Sequence, residues 1–206
     1  MEIVSLSNTS IGEAAKKAAR ALRAGQIIVY PTDTVYGIGV DAHNVGAIQR
    51  LRILKQRETK KPITIIVPSI KSIEHYATIP DAAKPLIEKY FPGPLTLILP
   101  AKHAIRSEIT LHEGIGIRYP KHEFSETLAH VFGKPFTSTS ANRSGRENPK
   151  TIQEVLEQFR LDINEIDLVI DGGELSNAVP STVVSFMFKK PLVLREGKIT
   201  RAELGL

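Results

Sequence analysis

Five short stretches of this 206-residue chain concentrate hydroxyl, amide and guanidinium groups beside apolar runs. The first is Pro31-Thr32-Asp33-Thr34-Val35-Tyr36-Gly37. On an extended backbone, Thr32, Thr34 and Tyr36 would share one side and Asp33 and Val35 the other, so three hydroxyls would line one surface. The second is Lys55-Gln56-Arg57, followed by Glu58-Thr59-Lys60-Lys61-Pro62, in which Glu58 alone opposes Lys55, Arg57, Lys60 and Lys61. Residues two apart on a helix diverge by about 200°, so Lys55 and Arg57 meet on one anion only where the helix has ended. Pro62 supports that ending by biasing Lys61 away from helical backbone. The third stretch, Ser138-Thr139-Ser140-Ala141-Asn142, ends a short strand, the place where open α/β sheets bind ligands. Gly116-Ile117-Arg118-Tyr119-Pro120 is the fourth, and Pro180-Ser181-Thr182-Val183-Val184 with Leu194-Arg195-Glu196-Gly197 makes the fifth. Arg118 and Arg195 offer forked donors suited to phosphate or carboxylate. Taken singly, each stretch also fits a solvated turn, a charged loop or a surface ion pair.

Composition removes several chemistries. With no cysteine, the chain has no disulfide, thiolate nucleophile, iron–sulfur cluster or cysteine-based zinc site. The six histidines are scattered and none forms an i, i+4 pair, so a metal held in a dedicated protein cage is not expected. No GxxxxGK(S/T) phosphate loop occurs, and GIG at positions 37–39 and 114–116 lacks the third glycine of a dinucleotide fingerprint, which reads as glycine in or beside a strand. A GxSxG elbow is also missing, although a Ser-His-Asp triad stays open. Lys plus Arg number 27 against 22 Asp plus Glu, a formal charge of +5 that suits an anionic ligand. A phosphate-handling enzyme and an RNA-binding module both remain. Apolar runs are too short to span a membrane and the N-terminus lacks a signal pattern, so a cytoplasmic protein is expected.

The elements that must position these groups interleave helix and strand. Apolar spacing predicts helices over Ile11–Arg23, Asn44–Leu54, Asp81–Tyr90, Phe124–Phe132 and Ile152–Phe159. Short apolar runs predict strands at Ile27–Tyr30, Ile63–Val67, Leu95–Leu99, Ile115–Tyr119, Phe136–Thr139, Leu168–Ile170, Thr182–Phe186 and Leu192–Leu194. The expected class is α/β or α+β in one domain over residues 1–206. The late strands without intervening helices argue for a mixed parallel and antiparallel sheet.

In this order, PTDTVYGIG, the KxR at Lys55 and Arg57, PGPLTLIL, GIGIRYP, STSANRSG, PSTVV and LREG resemble the threonylcarbamoyl-adenylate synthase family, the YrdC-like domain, over roughly residues 10–200. The resemblance implies a twisted mixed sheet surrounded by helices, with a deep basic groove. It also implies a nucleotidyltransferase that joins L-threonine, bicarbonate or carbon dioxide, and ATP into threonylcarbamoyl-AMP and pyrophosphate. Mg²⁺ would come with ATP, no metal would be held by protein ligands, and a separate transferase would carry the product to tRNA, with direct tRNA or double-stranded RNA binding possible in the family. Lys55, Arg57, Ser140 and Asn142 would then grip the phosphates. Thr32, Thr34, Tyr36, Arg118, Ser138, Ser181 and Thr182 would surround threonine, and Arg57, Lys61, Ser140, Asn148 and Arg195 would contact ATP. Glu58 replaces a common proline, Lys61 an ATP-contacting asparagine, and Ile66 a histidine of the threonine pocket. These departures keep open a relative that uses another amine or carbamoyl donor, beside a non-catalytic RNA-binding protein of the same fold.

Overall fold

The computed structural model describes residues 1–56, 62–102, 107–110, 112–176 and 178–206. In chain order the elements are β1 (Glu2–Ser5), α1 (Ile11–Arg23), β2 (Ile28–Tyr30), β3 (Gly37–Gly39), α2 (Val45–Lys55), β4 (Thr64–Ile66), α3 (Ile73–Tyr76), α4 (Lys84–Tyr90), β5 (Leu95–Pro100), β6 (Gly114–Arg118), α5 (Glu123–Phe132), β7 (Phe136–Ser140), α6 (Ile152–Gln158), β8 (Leu168–Asp171), β9 (Thr182–Ser185), β10 (Leu192–Arg195) and α7 (Arg201–Leu204). Among the described residues ten strands form one sheet in the order β1-β8-β2-β3-β7-β4-β6-β5-β9-β10. β1/β8, β2/β8, β4/β6 and β5/β9 are parallel and the other neighbours antiparallel, so the sheet is mixed as expected.

The expected elements are present with ends shifted by a residue or two. The helix expected at Asp81–Tyr90 begins as a 3-10 turn over Asp81–Ala83 before α4. Unanticipated elements are short: β1, β3, α3 and α7. In β3, GIG offers one apolar side chain, too little for a periodic signal.

Side-chain alternation divides the sheet into two faces. On one, Ile27, Val29, Ile38, Ile65, Leu95, Leu97, Leu99, Ile115, Ile117, Val169 and Val184 build the larger core with α2, α4 and α6. On the other, Ile28, Tyr30, Ile66, Phe136, Leu168 and Ile170 pack beneath α1 and α5. α1 is capped by Ser10, whose hydroxyl accepts from the Glu13 amide, and it presents Ala14, Ala15, Ala18 and Ala19, all fully buried. Those small side chains let α1 lie close against α5 and the sheet. β4, β5, β6 and β9 extend past this cover.

The β3/β7 junction is equally close. An added Cβ at Gly39 would fall 1.9 Å from the carbonyl oxygen of Thr137, in the neighbouring strand. Neither backbone can yield without breaking the pairing Gly37↔Ser140 and Ile38↔Thr139. Gly39→Ala should therefore cost at least about 1–3 kcal/mol, the usual penalty of overpacking, read as a lower urea midpoint at unchanged slope.

Candidate active site

Where the cover of α1 and α5 stops, their face of the sheet carries a cavity of about 210 Å³. Its floor follows from strand parity. Phe136 of β7 lies in the covered core, so Ser138 and Ser140, two and four residues on, lie on the same face in the open. Ile66 and Thr64 of β4 divide in the same way, and Gly116 with Arg118 of β6 and Thr96 with Ile98 of β5 continue the row. Ser181 and Arg195 close one side, Thr34, Val35 and Gly37 another.

Arg118 is the buried charge of this cavity, with 6% of its surface exposed. Its Nη2 pairs with Asp33 and donates to Thr34 Oγ1 at 2.5 Å and, more weakly, to Thr32 Oγ1 at 3.4 Å. Asp33 is fixed further by the Lys121 amide at 3.2 Å, and its carbonyl accepts from Lys198 Nζ. Among the described residues, the buried Arg118 Nε has no hydrogen-bond partner. An orphaned charged donor of this kind is costly unless a ligand satisfies it. His122, near Asp33 and Arg118, is held below its ordinary pKa chiefly by burial, so it stays neutral near pH 7 and adds no second cation there.

The opposite wall has its own network. Arg195 donates from Nε and Nη2 to the Ser181 carbonyl at 3.1 and 2.8 Å, and from Nη2 to Ser181 Oγ at 3.2 Å. Ser181 Oγ and Thr96 Oγ1 share a bond of 2.8 Å. Burial, then the Arg118 charge, lowers the Arg195 pKa, which shows the two guanidinium groups sensing each other. Arginine remains charged under such a shift, so the cavity faces an anionic ligand with two fixed cations.

The expected site residues separate into three sets. Thr34, Arg118, Ser138, Ser140, Ser181 and Arg195 line the cavity together. Arg57 and Lys61 lie outside the described residues. The remainder are placed elsewhere. Tyr36 faces the larger core, where its hydroxyl donates to the Gly173 carbonyl at 2.6 Å and accepts from the Gly172 amide at 3.0 Å. Burial pushes its pKa up to about 12, so it is a neutral anchor for the 172–173 turn. Thr182 is one residue out of parity with the cavity; its hydroxyl donates to the Ile199 carbonyl at 2.5 Å and accepts from the Gly197 and Ile199 amides. Thr32 folds the 32–35 segment into a turn, bonding the Val35 carbonyl at 2.6 Å and the Thr34 amide at 3.2 Å. That turn replaces the extended alternation expected there. Asn148 is half-buried, away from the cavity lining, and makes no hydrogen bond among the described residues.

Lys55 and Asn142 stand behind the cavity wall. Lys55, 1% exposed, donates from Nζ to the carbonyls of Ser140 and Asn142. Helix α2 ends at Lys55, and Gln56 turns the chain with a φ of 50°. Ser140 Oγ donates to Asn142 Oδ1 at 2.5 Å, and Asn142 Nδ2 to the Arg146 carbonyl at 2.5 Å. Ile66 is fully buried in the core under α1 and α5, so it is not a cavity-lining substitute for a polar side chain. Sequence reasoning missed Thr64 and Thr96, which do line the cavity; their signal is the cross-sheet register, Thr64 against Ser138 and Thr96 against Arg118.

A donor set for a protein-held metal is not present in this arrangement: among the described residues no three His, Cys, Asp or Glu side chains converge. The lining does fit a metal carried on a polyanion, since it supplies cations and hydroxyls and leaves the ion to the ligand's own oxygens.

Comparison with known proteins fits this geometry. A putative threonylcarbamoyl-AMP synthase of Methanocaldococcus jannaschii is 39% identical over 181 residues, covering 88% of this chain and 84% of that protein. The Pyrococcus abyssi threonylcarbamoyl-AMP synthase is 34% identical over 91% of this chain, which spans only 55% of that longer relative. The structure of P. abyssi Sua5 complexed with L-threonine superposes with a TM-score of 0.90 at 32% identity, covering 98% of this chain and 59% of that one. Escherichia coli YciO gives 0.87 at 26% identity, with 98% of each chain covered. The Sua5/YciO/YrdC family model, described as telomere recombination, matches residues 20–197, and the chain belongs to that family.

Proposed function

We propose that this chain is an L-threonylcarbamoyladenylate synthase. The observation that carries the reading is the buried guanidinium of Arg118, engaged by the protein through Nη2 alone, in a small hydroxyl-lined cavity that a second arginine also faces. An α-amino acid carboxylate satisfies such a donor, and a nucleotide phosphate suits Arg195. Relatives named threonylcarbamoyl-AMP synthase, and one solved with L-threonine, support the same assignment.

In this reading, Arg118 takes the threonine carboxylate, while Thr34, Ser138 and Ser181 supply hydroxyls around the amino acid. Ser140 and Arg195 face the triphosphate, and the resemblance assigns Arg57, Lys61 and Asn148 to the same nucleotide. The threonine ammonium loses a proton, and the neutral nitrogen bonds to the carbon of carbon dioxide and sheds a second proton to give a carbamate; with bicarbonate the same bond forms as water leaves. A carbamate oxygen then bonds to the α-phosphorus of ATP, and the bond from that phosphorus to pyrophosphate breaks. Such a transfer needs alignment and positive charge where negative charge develops, and fixed arginines supply both without reorganising. Mg²⁺ bound to the ATP phosphates would neutralise part of the pyrophosphate charge. Lys55 acts here as a positioning residue that sets the carbonyls of Ser140 and Asn142. The product is a mixed anhydride that a separate tRNA threonylcarbamoyl transferase would consume, and the setting is the cytoplasm.

Purified protein incubated with ATP, L-threonine and bicarbonate should release pyrophosphate and form an adenylate of the threonylcarbamoyl mass; turnover that ignores threonine sinks the assignment. Arg118→Lys retains a charge beside Asp33 but loses the fork, so the threonine KM should rise about tenfold or more with a smaller change for ATP.

Residues turned away from the cavity should behave differently. Thr182→Val removes a buried hydroxyl with three partners, and its cost of about 1–3 kcal/mol should appear in denaturant unfolding. At a temperature where both proteins stay folded, its threonine KM should match the parent's. Ser181→Ala, which removes a cavity hydroxyl bonded to Thr96 and Arg195, should raise the threonine KM at such a temperature as well as lower the unfolding midpoint.

A further inference from the structure

The cavity floor holds a hydroxyl that the fold leaves unused. Thr64, in β4, pairs across the sheet with Ser138 on one side and Gly116 on the other. Its side chain lines the cavity and makes no hydrogen bond among the described residues. The contrast with its neighbours is specific. Thr34 Oγ1 is bonded to Arg118, Thr96 Oγ1 to Ser181, Thr137 Oγ1 to the Val40 amide and Ser140 Oγ to Asn142. Each of those hydroxyls serves the protein first.

Gly116 keeps the Thr64 hydroxyl open. A Cβ built on Gly116 would lie 2.8 Å from Thr64 Oγ1 and 3.2 Å from its Cα, so any larger residue would cover this oxygen. Strand geometry then sets the Thr64 row beside the row that carries Arg118. Arg118 belongs to the next row of the same face, paired with Ile66 and Thr96. Adjacent rows on one face are separated by two residues, roughly 6.6 Å along the strand. An α-amino acid with its carboxylate at one row places a side-chain hydroxyl toward the other.

We propose that Thr64 is a specificity-determining residue, whose hydroxyl exchanges a hydrogen bond with the side-chain hydroxyl of the amino-acid substrate. The proposal rests on the synthase reading above and deepens it. Its physical basis is a matched pair: a substrate lacking the hydroxyl leaves Thr64 Oγ1 enclosed without a partner, and one that carries it satisfies both groups. Neither group is charged, so the discrimination is that of one neutral hydrogen bond, about tenfold.

The test compares L-threonine with L-2-aminobutyrate, which has the same carbon skeleton without the hydroxyl, by calorimetric binding and by pyrophosphate release. The parent protein should prefer threonine by about tenfold or more. Thr64→Val, a β-branched near-isostere in a strand, should keep the parent's melting temperature and ATP affinity, lose most of that preference, and bind 2-aminobutyrate as well as before. Thr64→Ser should restore the preference. Equal weakening for both amino acids, no effect on either, or a loss confined to ATP would overturn the role for Thr64. Failure of the parent protein to use threonine at all would instead overturn the synthase reading, so the two failures are distinguishable.

Discussion

A sheet has two faces to bury, and here one of them is covered over only part of its width. α1 and α5 seal the region around β1, β8, β2 and the near ends of β7 and β4. Beyond their edge, a face of leucines and isoleucines would lie open to water. The chain instead places mainly Thr, Ser, Gly and Arg at the alternate positions there, with Ile98 and Val183 among them, while Ile65, Leu95, Leu97, Leu99, Ile115, Ile117 and Val184 at intervening positions point into the opposite core. The same strands thus serve as packing elements on one side and as a polar floor on the other. That division depends on register. Moving β6 by one residue would drive Arg118 into the apolar core and bring Ile117 into the cavity.

Burying Arg118 is the costly consequence of that plan, and the surrounding residues show how the cost is managed. Asp33 supplies a counter-charge, but it engages Nη2 only, and it is itself held by the Lys121 amide and by Lys198 at its carbonyl. Removing one member of such a pair leaves an uncompensated buried charge, a loss of about 3–5 kcal/mol. The loop over 31–36 is therefore coupled to strand β6, and so is the N-terminus of α5, where Ser125 Oγ donates to the Pro31 carbonyl at 2.7 Å. The Nε proton, which Asp33 leaves unsatisfied, is enclosed, whereas Nη1 makes no hydrogen bond among the described residues and is the part of the guanidinium open to a ligand. The pair both holds the cavity together and leaves its binding function incomplete.

Much of this was legible in the chain itself, and the rest failed for identifiable reasons. Long periodic segments such as Ile11–Arg23 were read to the residue, since six apolar positions at helical spacing leave little choice. Motif reading drew in every hydroxyl of PSTVV and PTDTVYG, yet a strand offers only alternate positions to a given face. Ser181 and Val183 therefore face the cavity and Thr182 does not. Tyr36 falls on the same side as Ile38, within the core. Thr64 and Thr96 stand among apolar residues, where a search for dense polar stretches passes over them. Their significance appears only once Thr64 is registered against Ser138 and Thr96 against Arg118. That pairing is non-local and no stretch of sequence states it.

Lys55 makes a related point about charge. In a sequence, a lysine two residues before an arginine suggests a pair of phosphate ligands. In the fold, the ammonium is nearly fully buried and donates to two main-chain carbonyls at the end of β7. Those carbonyls belong to Ser140 and Asn142, whose side chains are bonded to each other, so the lysine fixes the backbone from which the polar groups project. An apolar side chain could fill the same volume but could not satisfy the two carbonyls.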